Sequence, residues 1–306
     1  MKFPAIRGTA RLWMHDSCAG LGQWPPGGGP WTFTPIPYEG AHRWALRIPA
    51  DPVPGMTKKP APRKASAKRG AAKTSARGRK RPPPYVRLLE RRGSISIWLV
   101  DGAEVRKNID IEFSNFGSHY DIDEIPMHEI WIDGETDPDE QRFFIAHAIM
   151  ERKLRKAGTD AEVARKAANH EERRMRVAAG DLRKVMRGRA LPDAKKVRRE
   201  LWKTLPSGVV VWFVKGRLVR SVYDVEYTEG GHEHVYEYIP RGEVWIDDDI
   251  HEDERGYVVF HELHERNLMA DGMDYDTAHE ESSKLELHYR NHPDQLHQAL
   301  AAEGWE

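Results

Sequence analysis

The second half of this 306-residue chain repeats the first at a fixed offset of 114 residues, without a gap. Trp98 falls on Trp212, Gly102 on Gly216, Val105-Arg106 on Val219-Arg220, and Trp131-Ile132-Asp133 on Trp245-Ile246-Asp247. Further along, His147 falls on His261, Glu151-Arg152 on Glu265-Arg266, Gly158 on Gly272 and Arg176 on Arg290. About 25 of about 82 aligned positions are identical, so the chain holds two copies of one supersecondary unit. Both copies must reach the same fold. Positions where they differ mark residues that one copy uses in its own way.

The repeat sets the boundaries. Residues 1–51 form an aromatic segment in which Trp13, Trp24, Trp31 and Trp44 stand among Pro/Gly turns, a pattern for a few short strands or a loose arm. Residues 52–84 hold no large apolar side chain beyond Val53 and Met56 and read as a flexible linker. Copy one occupies 85–196, with a basic helical extension, and copy two occupies 197–306.

Each copy opens with a β-branched or aromatic run, ISIWLV at 95–100 and VVVWFV at 209–214, followed by Asp-Gly or Lys-Gly and then VRKNIDIEF or VRSVYDVEY. This reads as a hairpin feeding a meander, with further strands near DIDEIP or VYEYIP and at HEIWID or GEVWID. Asp139-Glu140 and Asp253-Glu254 are placed to start a helix, where the dipole favours acids. Gly158 and Gly272 end it, and Asp160 and Asp274 begin a second. The expected class is α+β, a tandem duplication of an antiparallel β-meander followed by two helices. Trp98, Trp131, Trp212 and Trp245, at repeated strand positions, are expected in the core.

The formal net charge of zero conceals an asymmetry. Lys58, Lys59, Arg63, Lys64, Lys68, Arg69, Lys73, Arg77, Arg79, Lys80 and Arg81 crowd the linker with no acid among them, and the rest of the chain is correspondingly acidic. Such a polycation suits nonspecific nucleic-acid contact, a solvated spacer fits equally, and folding back on the acidic repeats is a further alternative. The lone Cys18 excludes an intramolecular disulfide, and neither a membrane-length apolar run nor a secretory leader is present, so a cytoplasmic setting without membrane contact is expected. No phosphate-cradling glycine loop, dinucleotide fingerprint or paired CxxC is present.

The chemistry concentrates in copy two. His261 and Glu265, four residues apart, share a helical face at a spacing suited to two ligands on one zinc ion. His279 on the next helix is a candidate third ligand, leaving a position for water. Glu262 is the candidate general base, and Glu286, seven residues after His279, is placed to orient its imidazole. Copy one keeps His147 and Glu151 but has Ala148, Met150 and Arg165 in place of Glu262, His264 and His279, and Arg165 is expected to pair with Glu151. A buried His–Glu pair that merely pins helix to sheet explains the shared residues equally well. Lower-ranked clusters are Asp247-Asp248-Asp249, read as a strand-end turn, and His232-Glu233-His234, read as a solvated hairpin tip.

The residues His261-Glu262, Glu265-Arg266, Gly272, Tyr275, Ala278-His279 and Glu286 resemble the HE-x-x-E…Y-x-x-AH pattern of a zincin-like family of phage and mobile-element proteins. The likeness spans 260–286 only, and the strict HExxH motif is absent. It implies a metallopeptidase-like zinc site in the C-terminal repeat. The alternative is a nonenzymatic binding or scaffold protein with a two-lobed platform and a nucleic-acid-contacting linker.

Overall fold

The computed structural model describes residues 83–180 and 193–306. The aromatic segment, nearly all of the linker and the stretch 181–192 of the basic extension lie outside the described residues. Copy one runs β1 (Tyr85–Arg92), β2 (Ile95–Val100), α1 (Gly102–Asn108), β3 (Phe116–Ser118), β4 (Glu129–Asp133), α2 (Gln141–Lys156) and α3 (Ala161–Ala179). Copy two repeats this as β5 (Arg198–Thr204), β6 (Val210–Val214), α4 (Gly216–Val222), β7 (Gly230–His232), β8 (Glu243–Asp247), α5 (Glu252–Ala270) and α6 (Tyr275–Asn291), then adds α7 (Leu296–Ala302). The duplication and the α+β class hold: the sheets order β1-β2-β4-β3 and β5-β6-β8-β7, and Trp98 opposite Trp131 is matched by Trp212 opposite Trp245.

The connectivity departs from a meander. β1 and β2 are antiparallel, but β2 and β4 run parallel, because the chain after β2 folds into α1 and crosses over. Val105 looked like a strand residue, yet Asp101 caps a helix by accepting from the Glu104 amide, and DIDEIP is loop. The third strand is the shorter β3. Helix limits come out as expected from the caps: Asp160 and Asp274 accept first-turn amides, and Gly158 and Gly272 take positive φ.

The central strand β4 is buried on both faces. Ile130 and Ile132 pack with Ile97 against Phe144, Ile145 and Ala148 of α2, while Trp131 on the opposite face packs with Val105 of α1 and Phe113. Copy two repeats both layers around Val244, Ile246 and Trp245. Of the four repeated tryptophans, Trp131 and Trp245 are buried, whereas Trp98 and Trp212 are partly buried.

The copies are joined by buried ion pairs that cross between them. Arg106 of α1 meets Asp133 (2.7 Å) and Glu135 (2.8 Å) of its own copy and Glu229 (2.6 Å) and Glu254 (3.0 Å) of the other. Its counterpart Arg220 meets Asp247 (2.6 Å) in its own copy and Glu140 (2.5 Å) across. Gly102 and Gly216 are required here, since a Cβ at either would lie about 2 Å from the Asp133 or Asp247 carboxylate. Asp247 is therefore half of a buried ion pair as well as a strand end, and Glu140 and Glu254 answer arginines of the partner copy beyond any dipole role. Arg220→Met leaves Asp247 buried without its cation and Glu140 with Arg176 alone, and should cost about 3–5 kcal/mol in urea denaturation. The double variant Arg220→Met, Asp247→Asn, which leaves the Glu140–Arg176 pair in place, should regain part of it; a loss under about 1 kcal/mol in the single variant would mean the pairs do not hold the copies together.

Candidate metal centre

From the Arg106 junction a chain of alternating charges runs to the candidate site. Glu254 binds Arg290 (2.5 Å), Arg290 binds Glu286 (2.8 Å), and Glu286 Oε2 meets His261 Nδ1 at 2.9 Å. Copy one holds the same chain, Arg220–Glu140–Arg176–Glu172–His147, ending at 2.8 Å on His147 Nδ1. The shared histidine and glutamates are thus the end of the wiring that docks the copies, which explains their presence in both. Glu286 serves His261 rather than His279, a correction that follows from the antiparallel packing of α5 against α6.

What only copy two has converges beyond that chain. His261 Nε2, His279 Nδ1 and Glu265 Oε2 lie 3.2, 2.7 and 3.5 Å apart. Three tetrahedral ligand atoms at zinc distances stand about 3.3 Å from one another. The opposite atom of each ligand is already tied down. Besides Glu286 on His261, Glu112 Oε2 takes His279 Nε2 at 3.0 Å, and His232 Nε2 meets Glu265 Oε1 at 3.0 Å. The Nδ1 of His232 accepts the His234 amide, so its Nε2 carries the proton and His232 is a donor to Glu265 rather than a ligand. The inward atom of each residue thereby faces a common point, the arrangement in which carboxylates and hydrogen bonds orient metal-binding histidines.

Two of these partners escaped the sequence. Glu112 belongs to copy one, 167 residues from His279, and also bonds Ser283. His232, expected at a solvated tip, is fully buried on β7, whose pairing with β8 aims it at α5. Copy one is therefore more than a support: it supplies a side chain to the centre.

Glu262 lines the same cavity, of about 190 Å³, which both copies enclose. Gly230 makes room for it, since a Cβ there would stand 2.7 Å from the Glu262 carboxylate. Copy one has the reciprocal pair: Phe116 replaces Gly230, Ala148 replaces Glu262, and the phenyl ring fills the space against Phe144 and His147 at 5.4 and 4.9 Å. Burial and then the Glu265 charge push Glu262 up to about 8. Burial would lower His279, but hydrogen bonds to Glu112 and Glu265 outweigh it and raise it to about 9. Likewise, burial works against charge on Glu265, yet hydrogen bonds from His232, His261 and His279 hold it well below the usual carboxylate range. As expected, Arg165, which takes the place of His279, stands near Glu151, at 3.9 Å.

His147 reports on the shared wiring without any metal. Burial disfavours its charge, but hydrogen bonds to Glu151 and Glu172 raise it to about 9, above its value in an unfolded chain. A raised histidine stabilises the fold fully below about pH 6.5, and that stability is lost as pH climbs through 9. The stability difference between wild type and His147→Gln should therefore shrink by on the order of 3 kcal/mol between pH 6 and pH 9.5 in urea titrations. A difference that stays constant over that range would assign His147 to the neutral form. No family model, no curated protein and no solved structure matches this chain, so the function is read from the geometry.

Proposed function

We propose that this protein is a zinc-dependent, metallopeptidase-like hydrolase whose site lies in copy two and is completed by Glu112 of copy one. One observation carries the reading: three ligand-type atoms converge at zinc spacing while the far atom of every one is held by its own partner. The surrounding differences between the copies agree with it. His232, Gly230, Glu262, Tyr275 and His279 replace Ser118, Phe116, Ala148, Ala161 and Arg165, and all but His232 line the cavity.

In this reading His261, Glu265 and His279 hold the ion, which supplies Lewis acidity toward a carbonyl group and toward water. Glu262, whose raised pKa lies near neutrality, takes the proton from water and returns it to the leaving group. Tyr275, stacked on the His279 ring at 5.3 Å, limits that ligand to one orientation. The lone Cys18 fits a cytoplasmic setting, and among the described residues no helix is long and apolar enough to cross a membrane. The Lys58–Arg81 segment is proposed as a nonspecific nucleic-acid contact, on its charge alone. Binding to random-sequence duplex DNA should then fall steeply between 50 and 200 mM salt and vanish on deleting 58–81; retained binding would move the surface elsewhere.

Purified protein equilibrated with zinc and dialysed should retain close to one ion per chain by elemental analysis, and His279→Ala should retain none. Glu112→Gln should weaken zinc binding roughly 10–100-fold, as loss of an orienting carboxylate does. Glu262→Gln should keep the ion and lose turnover on a peptide library. A protein that holds no zinc, or a Glu262→Gln variant with full activity, would leave the cluster as hydrogen-bonded packing only.

A further inference from the structure

The opposite wall of the cavity carries side chains that the proposed chemistry leaves idle. Arg165 and Asn169 stand one turn apart on α3 and both line the cavity. They occupy the positions that His279 and Ser283 occupy in copy two. Where copy two has a ligand and its neighbour, copy one has a guanidinium and a carboxamide.

One is held only loosely and the other is half satisfied. Arg165 makes only long ion-pair contacts, 3.8 Å to Asp121 and 3.9 Å to Glu151, and no hydrogen bond among the described residues. Both carboxylates already serve others. Asp121 accepts from the amide and hydroxyl of Ser118, at 3.1 and 3.0 Å, and Glu151 from Arg155 and His147, both at 3.3 Å. Asn169 donates through Nδ2 to Glu226 at 2.9 Å, which fixes its orientation and turns Oδ1 away from that contact. That Oδ1 is buried and has no hydrogen-bond partner among the described residues. A buried acceptor left unpaired is costly and rare, so it points to a donor that the protein itself does not supply.

A guanidinium fork held only by two long ion pairs and an orphan acceptor one helical turn away match a group that offers a carboxylate beside an N–H. The α-carboxylate of a peptide, with the amide of the same terminal residue, is such a group. Arginine is suited to it because its planar fork binds a carboxylate through two parallel hydrogen bonds. We propose that Arg165 and Asn169 form the recognition subsite for a peptide C terminus, Arg165 taking the carboxylate and Asn169 Oδ1 accepting the terminal amide N–H. This rests on the hydrolase reading only for its consequence: the carbonyl group preceding the held residue is then the one directed at His261, Glu265 and His279. The two copies divide the work, recognition on the α3 wall and chemistry on the α5–α6 wall. The shared cavity of about 190 Å³ admits a residue or two rather than a folded chain.

Calorimetric titration of the zinc-equilibrated full chain with three probes tests this: N-acetyl-Ala-Ala, its C-terminal amide, and N-acetyl-Asp-Ala-amide, which carries its carboxylate on a side chain. The free acid should bind at least tenfold more tightly than either of the others. Arg165→Gln should erase that preference with zinc content unchanged, and Arg165→Lys, which keeps the charge and loses the fork, should retain part of it. Asn169→Ala, which also removes the donor to Glu226, should weaken binding of the free acid with zinc content unchanged. Equal affinity for acid and amide, a preference that survives Arg165→Gln, or no binding of any probe would overturn the subsite. Equal affinity of the side-chain carboxylate would overturn the assignment to a chain terminus. If the preference is present and depends on Arg165 in a protein that takes up no zinc, the subsite stands and the hydrolase reading fails. Stoichiometric zinc with no such preference gives the reverse.

Discussion

The structure depends on two buried arginines that each answer carboxylates from both copies. Arg106 and Arg220 are almost wholly buried, and each divides its guanidinium between carboxylates of the two repeats: Arg106 reaches Glu229 and Glu254 across the junction, and Arg220 reaches Glu140. A guanidinium cannot lose its charge to escape burial, so separating the copies would strand cations and anions together. The pairing is unequal. Four carboxylates surround Arg106, and burial, only partly offset by that arginine, pushes Glu229 up to about 8. Replacing such a network by apolar residues often costs a protein nothing in stability. Here its geometry matters more than its energy, because it fixes where each copy's second helix ends and hence where the histidines point.

That wiring accounts for what the copies share and frees the remainder to differ. Arg290 and Glu286 transmit the junction to His261, as Arg176 and Glu172 do to His147. Beyond these residues the copies exchange volume in compensating pairs. Phe116 with Ala148 fills a space in copy one that Gly230 with Glu262 turns into a carboxylate facing a cavity in copy two. A change at only one of those positions would leave either a void or an overlap, so the pair marks a switch of use and not drift at a single site.

The duplication, the paired tryptophans, the capped helices and the trio His261, Glu265 and His279 were all legible in the chain, because they follow from periodicity and from spacing within one element or one helical hairpin. The parallel pairing was not. A seven-residue helix rich in β-branched neighbours carries too little pattern to be told from a strand, and only the Asp101 cap distinguishes it. Residues that act across the repeat junction were equally hidden. Glu112 approaches His279 over 167 residues, and Glu254 approaches Arg106 over 148, so no local pattern announces either. His232 looked like a polar tip because its neighbours are polar, although a three-residue strand buries it against Glu265.

The same cavity also explains why a duplicated unit carries one cluster instead of two. Glu262 sits in that cavity at the cost of a raised pKa, set by burial and by the charge of Glu265. A second glutamate at position 148, with a second glutamate–histidine set beneath it, would face the first across about 190 Å³ of enclosed space. Like charges so placed disfavour each other's ionised form, and both carboxylates would be driven toward their neutral state. Placing Phe116 and Ala148 in copy one removes that repulsion, and Arg165 adds a positive charge to the wall opposite the acids. Asymmetry between the copies is thus what lets one of them keep a buried carboxylate near neutrality, while the ion pairs that dock them remain symmetric.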